Sequence, residues 1–410
     1  MEAIAVPVEV SPVERPRPSL AALEEAFRSH FQGELWQAVK ACLAVIAAIS
    51  LSHRDNCLVL IFEGPSGRGK SVVVRSLMPD PNGAAMHTHL IRADEFTPAS
   101  FVSHAANRTA EQLKTIDLLP RLQDRVMLTK ELAPLFRGDE RDLRKSFAKL
   151  TSVLDGDGYQ TNSGEHGERG YVGRYIFNWV GATTPIPNQT HRIMAQLGNR
   201  ILFYEVAGED FSEDELMKFA RERVSADAVE ECRAMVNGFL EGHFENCPVN
   251  SIEPESILIS DDFLRELVRY AELVAQGRVE LLYDNGILET GSPEGPQRVI
   301  LLLLMLARGL ALVEGRSEVS SEDMSVTRHV AFSSIPRNRR DLLRAVIDAA
   351  GLLEVSEVER ALNVSRPTAL SRMKELGATG ICLFTEGNPQ GSKPGMISLT
   401  EPWRWLLPTP

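Results

Sequence analysis

The sequence predicts a layered α/β core, then an all-α region, then a small helix-turn-helix unit with a wing. Three observations carry that prediction. Apolar strand-like runs alternate with helical patterns over residues 57–206, the order of an α/β layer. Residues 210–315 show helical periodicity, broken near Asn246–Pro248 and Gly291–Pro296. Residues 337–410 hold three short helical patterns and two strand-like runs. At 410 residues, 43% hydrophobic and 24% charged, the chain has room for two or three domains and a large core.

Residues 1–18 read as a flexible arm, with four prolines and acidic residues and without the apolar run of a secretion signal. Residues 19–208 are expected to form the α/β core with N-terminal helices. These helices run over 19–51, with Ser19 as cap and a break at Gln32-Gly33; Leu35, Val39, Leu43, Ile46 and Ile49 recur at helical spacing. Strands are expected at 57–62, 87–92, 125–129, 175–182 and 200–206, and helices at 70–78, 98–106, 109–114 and 139–154. Runs at 159–163 and 171–177, around the Gly-rich stretch 164–170, predict a β-hairpin. Residues 209–336 are expected to be a helical lid. Its 15-residue apolar run, Val299–Val313, contains Arg308 and Gly309 and is too short for a membrane span, so it reads as a buried helix.

Residues 64–71, Gly64, Pro65, Ser66, Gly67, Arg68, Gly69, Lys70 and Ser71, match G-x-x-x-x-G-K-[ST] between an apolar strand and a helix. Backbone N–H groups of such a loop form an anion nest, and the helix start through Val72 adds its positive dipole end. The motif implies ATP as ligand, with Lys70 on the outer phosphates and Ser71 on Mg²⁺. A chance Gly-rich turn before a helix is the bland alternative.

Hydrolysis also needs a carboxylate at a neighbouring strand end. The candidate is Glu131, after Val126–Thr129, as metal-holding and catalytic group. Thr129 and Lys130 stand where an apolar residue and an Asp are usual. Asp94-Glu95 is the rival pair, and a solvated strand-end acid is the alternative for Glu131. Thr183, with Thr184 beside it, ends the next strand where a polar group can touch the γ-phosphate or the attacking water; a shape-setting turn is the other reading. Arg200 precedes the last strand at the domain edge, where it can serve a neighbouring subunit's site in trans. Arg192 is its understudy, and a surface salt bridge is equally compatible with the spacing.

This ordered set resembles the AAA+ ATPases, and most closely the branch with a β-hairpin before the sensor-1 strand. Minichromosome-maintenance helicases and their relatives on phages and mobile elements belong to that branch. The resemblance covers roughly residues 40–335. It includes Gly295–Leu303, Ala307–Ala311 and Val319–Met324 in the lid. It implies an ATP- and Mg²⁺-dependent motor, a ring expected as a hexamer, an arginine finger at Arg200, and a nucleotide contact from Arg298 as sensor 2. The chain departs from the family in Lys130-Glu131, in a hairpin tip that carries Glu165, His166, Glu168 and Arg169, and in lacking a large N-terminal DNA-binding and zinc domain.

Residues 337–410 follow a winged-helix pattern. Its third helix begins at Ser365–Pro367, with Leu370, Met373 and Leu376 inward. Arg366, Thr368, Arg372 and Lys374 face out as DNA contacts, and Lys393 sits in the wing, Gly387–Gly395. The unit carries ten Lys/Arg and eight Asp/Glu, a net of +2 against −14 for the rest of the chain. Winged helices also contact proteins.

The net charge of −12 argues against a chain that coats nucleic acid non-specifically. Five scattered cysteines without a C-x-x-C pair suit a cytoplasmic location and offer neither disulfide framework nor zinc site. The expected activity is an ATPase acting on DNA as helicase or translocase. The alternatives are a nucleotide-gated DNA-binding regulator or loader with weak hydrolysis, and an ATP-driven protein remodeller.

Overall fold

The computed structural model describes residues 17–31, 34–78, 87–103, 108–163, 167–206, 213, 217, 226–284, 287–388 and 394–408. The arm at 1–16, the break at 32–33, the hairpin tip at 164–166 and Lys393 lie outside the described residues.

Five strands follow the expected runs: β1 (Val59–Glu63), β2 (Leu90–Arg92), β3 (Val126–Thr129), β6 (Asn178–Thr183) and β7 (Ile201–Glu205). They form one parallel sheet in the order β2-β3-β6-β1-β7. Every residue of β1 is buried, as parallel strands covered on both faces require. Leu58, Leu60 and Phe62 face one core, and Val59 and Ile61 face the other.

The first core is built by α1 (Leu20–His30), α2 (Glu34–Ala47), α3 (Lys70–Arg75), α8 (Ala226–Asn246), α9 (Asp261–Gly277), α10 (Gln297–Val313) and α11 (Ser321–Ser333). The cap expected at Ser19 is present, its hydroxyl accepting from the Ala22 amide at 3.2 Å. Helix α2 lies between the sheet and α10, so the C-terminal helices share one continuous core with the N-terminal pair. The apolar run expected as a buried helix is α10. Gly309 sits where a Cβ would lie 2.3 Å from the Ala44 carbonyl oxygen, which allows the two backbones to cross closely. Among the described residues no helix is long and apolar enough to cross a membrane.

The second core takes α5 (Leu118–Leu122), α6 (Glu140–Leu154) and α7 (Asn188–Leu197), with α4 (Ala110–Ile116) beside them. Helices α5 and α7 are absent from the sequence reading. The helix expected at 98–106 is, over its described part, a 3₁₀ turn at Pro98–Ser100. Phe101 drops into the core, and the Ser103 amide bonds to the Asp117 carboxylate at 3.0 Å, which turns the chain away from helix. The hairpin is β4 (Gly158–Ser163) with β5 (Gly167–Val172), four residues earlier on its second strand than expected. Gly170 permits that register, because a Cβ there would lie 2.0 Å from the Tyr159 oxygen.

The stretch expected to be a helical lid, with breaks near 246–248 and 291–296, also holds a hairpin, β8 (Leu281–Asp284) with β9 (Ile287–Thr290). The intervening Asn285-Gly286 is a two-residue hairpin signal that the helical reading passed over.

Residues 337–408 fold as α12 (Arg337–Asp348), β10 (Leu352–Glu354), α13 (Val355–Leu362), α14 (Arg366–Ala378), β11 (Cys382–Thr385) and β12 (Met396–Leu399), with an antiparallel sheet in the order β10-β12-β11. Leu342, Met373 and Leu376 build its core, with Leu370 packed against it.

The outer edge of β7 is closed by side chains. Arg278 donates to the Ile201 oxygen at 2.6 Å. The Phe203 amide donates to Ser334 Oγ at 2.9 Å, and the His329 ring meets the Glu205 oxygen at 2.9 Å.

Candidate nucleotide site

The carboxyl ends of parallel strands are where such sheets bind ligands, and the phosphate-loop motif lies there. Gly64 follows β1 and donates its amide to the Thr183 oxygen at 3.3 Å. A Cβ on Gly64 would approach the Val206 oxygen to 2.6 Å, so the loop leaves β1 against the end of β7. Gly67 and Gly69 have φ of +84° and +83°, the left-handed region that favours glycine. Leu35 of α2 packs under Gly69. Pro65, Ser66 and Gly67 are exposed, and Arg68, Gly69, Ser71 and Val72 half-buried.

Lys70 opens α3 and is 5% exposed, its Nζ donating to the Pro65 oxygen at 2.6 Å. Burial lowers its pKa, while Glu131 and Glu63 pull it back up. Those two carboxylates are thus the acids that Lys70 feels. Glu131 stands exposed beyond β3, its carboxylate accepting from the Ala133 amide at 2.9 Å. Thr183 is buried opposite Glu63 in the β1–β6 register, and its hydroxyl donates to the Thr184 oxygen at 3.0 Å. Lys70, Glu131 and Thr183 therefore gather at the ends of three adjacent strands. Asp94, the rival acid, pairs with Arg92 at the end of β2, which β3 and β6 separate from β1. Thr129 faces inward and accepts from Trp179 Nε1 at 3.1 Å.

A glycine cradle of this shape with a buried lysine fits a polyphosphate, and Ser71 with Glu131 offers the oxygen donors that Mg²⁺ prefers. Among the described residues no group of three or more His, Cys, Asp or Glu side chains could hold a metal by itself. The thiols of Cys57, Cys232 and Cys382 are pushed up to about 12, 11 and 12 by burial, so they are poor nucleophiles.

Arg298 lies with Arg200 at the end of the sheet opposite Gly64. Arg200 makes a two-pronged contact with Asp155, Nε at 2.9 Å and Nη2 at 3.0 Å, and its Nη1 donates to the Leu197 and Gly198 oxygens. Arg298 Nη2 is 3.6 Å from the same Asp155 carboxylate, with its side chain 33% exposed. Arg200 precedes β7, and β7 runs parallel to β1 with Ile201 opposite Val59, so both arginines sit far from Gly64. The packing of α10 along α2 fixes this position. Arg192, the understudy, pairs with Glu140 at 3.0 Å.

In the C-terminal unit, Arg366 and Thr368 are exposed on the first turn of α14, Lys374 is exposed further along, and Arg372 is half-buried. Carboxylates temper two of them: Arg366 lies 3.8 Å from Glu359, and Lys374 lies 2.7 Å from Glu386.

Sequence reasoning missed the charges around the loop. Arg137 donates to Thr184 Oγ1 at 3.2 Å. Glu63, 3% exposed, accepts from the Ile186 amide at 2.9 Å and faces Arg340, 1% exposed, at 3.7 Å. The available signal was an acid ending an otherwise apolar strand.

No family model matches the chain, and no curated protein matches it.

Proposed function

We propose that the chain is an ATPase of the AAA+ type that binds ATP with Mg²⁺, assembles into a ring and acts on DNA through a C-terminal winged helix. The observation that carries this reading is the glycine-lined loop with Lys70, set beside Glu131 and Thr183 at adjacent strand ends. When bound, Mg²⁺–ATP supplies the phosphoanhydride to be broken. The loop amides and Lys70 hold its phosphates, Ser71 and Glu131 face the metal, and Glu131 is placed to take a proton from water. Arg200 and Arg298, away from their own loop, support a ring in which a neighbour's nucleotide meets them. The exposed first turn of α14 supports a DNA-contacting role for Arg366 and Thr368.

A second reading, a nucleotide-gated DNA-binding regulator with slow hydrolysis, is favoured by Lys130 in the place of an Asp. ATP turnover with Mg²⁺, with and without single- and double-stranded DNA, separates the two. DNA-stimulated turnover that Lys70→Ala abolishes supports the motor. ATP binding with negligible turnover supports the regulator, and turnover raised only by a protein partner supports a remodeller. ATP affinity unchanged in Lys70→Ala refutes the nucleotide site itself.

A further inference from the structure

A buried carboxylate is costly next to a site for a polyanion, yet Glu63 directly precedes the phosphate loop. Its compensation comes from the C-terminal unit. Helix α12 sends Arg340 to the ends of β1 and β7, where Nη2 lies 2.6 Å from Glu205 Oε1, Nη1 donates to the Ser333 oxygen at 3.0 Å, and Nη1 faces Glu63 at 3.7 Å. Arg344, one turn on, reaches Glu205 at 3.1 Å. Asp341 lies 3.6 Å from Arg340 Nε and 3.4 Å from Arg337 Nε, so three acids and three arginines meet there. Burial holds the Glu63 carboxyl above its ordinary range, against the Ile186 amide and Arg340. Burial also works on Glu205, but Arg340 and Arg344 outweigh it and hold that group below its ordinary range.

We infer that the C-terminal unit completes the nucleotide site: Arg340 neutralises Glu63, and the loop binds a nucleoside triphosphate tightly only while α12 is docked on the ends of β1 and β7. This rests on the triphosphate reading above. Lys70 already feels Glu63. Without Arg340, Glu63 is an unpaired buried anion within electrostatic reach of the arriving phosphates, and the low local dielectric keeps the repulsion large. Helix α14 packs on α12, so a ligand on α14 has a contact route through α12 and Arg340 to Gly64. Arg340 is a positioning residue acting through Glu63.

The test is binding of a fluorescent ATP analogue to the full chain. Arg340→Met is expected to weaken binding about tenfold or more. Glu63→Gln alone is expected to bind as well as the parent or better. The double variant is expected to return to within about threefold of the parent, because the unpaired charge beside the loop is gone while Glu205 keeps Arg344. A purely structural role for Arg340 predicts no rescue, and either an unaffected Arg340→Met or an unrescued double variant overturns the inference. Should Arg340→Met not fold, Glu63→Gln decides, and weaker binding overturns it. Lys70→Ala separates the two claims: if it still binds the analogue, the triphosphate reading fails, whereas its loss beside an indifferent Arg340→Met sinks the charge inference alone.

Discussion

Gly309→Ala tests whether the crossing of α2 and α10 is as close as described. The new methyl would lie 2.3 Å from the Ala44 oxygen and 3.0 Å from the Ala44 carbonyl carbon, both backbone atoms in the last turn of α2. Attractive contact needs a separation more than about 1 Å greater, so the helices must part. Overpacking of this kind costs about 3 kcal/mol at the upper end of its usual range, since no flexible side chain can yield. Alanine returns about 1 kcal/mol of helix propensity over glycine. The net expectation is a loss of about 2 kcal/mol in urea denaturation at an unchanged slope. Lys40 of α2, buried and paired with Glu314 at the end of α10, resists the separation. Because Leu35 of the same α2 packs under Gly69, weaker ATP binding should accompany the loss. A variant as stable as the parent would refute the close crossing.

Two further outcomes follow. Arg200→Ala should cost about 2 kcal/mol through its lost charged hydrogen bonds to Asp155. It should keep ATP binding and lose turnover; mixing with Glu131→Gln subunits should restore part of it, and no rescue in mixtures argues against a role across subunits. His191 is pushed down to about 3 by burial and by Arg278, Arg339 and Arg340, so it folds neutral. The unfolded chain takes up that proton first, so stability falls as pH drops from about 6.5 toward 3, by at most about 1.4 kcal/mol per pH unit. His191→Gln should flatten that part of the pH–stability curve, and an unchanged curve would show that the ring is not held neutral.

The strands of the central sheet and the helices of the C-terminal unit were legible because each element's own pattern decides it. Val59–Phe62 is apolar throughout, and Leu370, Met373 and Leu376 share one face of a helix. Helix α7 was not legible, since Ile193 and Met194 gain meaning only against Phe203 and its neighbours in the second core. The turn of the 64–71 loop was legible through Gly67 and Gly69, whose left-handed backbone angles favour glycine. The position of Arg298 was hidden because it depends on the direction in which α10 crosses α2. The pairing of Glu63 with Arg340 joins residues 277 positions apart and leaves no local trace.

The closed edge of β7 limits how copies of this chain can meet. A parallel sheet ending in a free strand offers unpaired amides and carbonyls on which a second chain can continue the ladder, the route to strand exchange and fibrous assembly. Here Arg278, Ser334 and His329 already occupy the Ile201, Phe203 and Glu205 backbone groups. A second chain therefore finds those three groups taken, and any contact along this edge of the sheet falls to side chains rather than to a continued ladder.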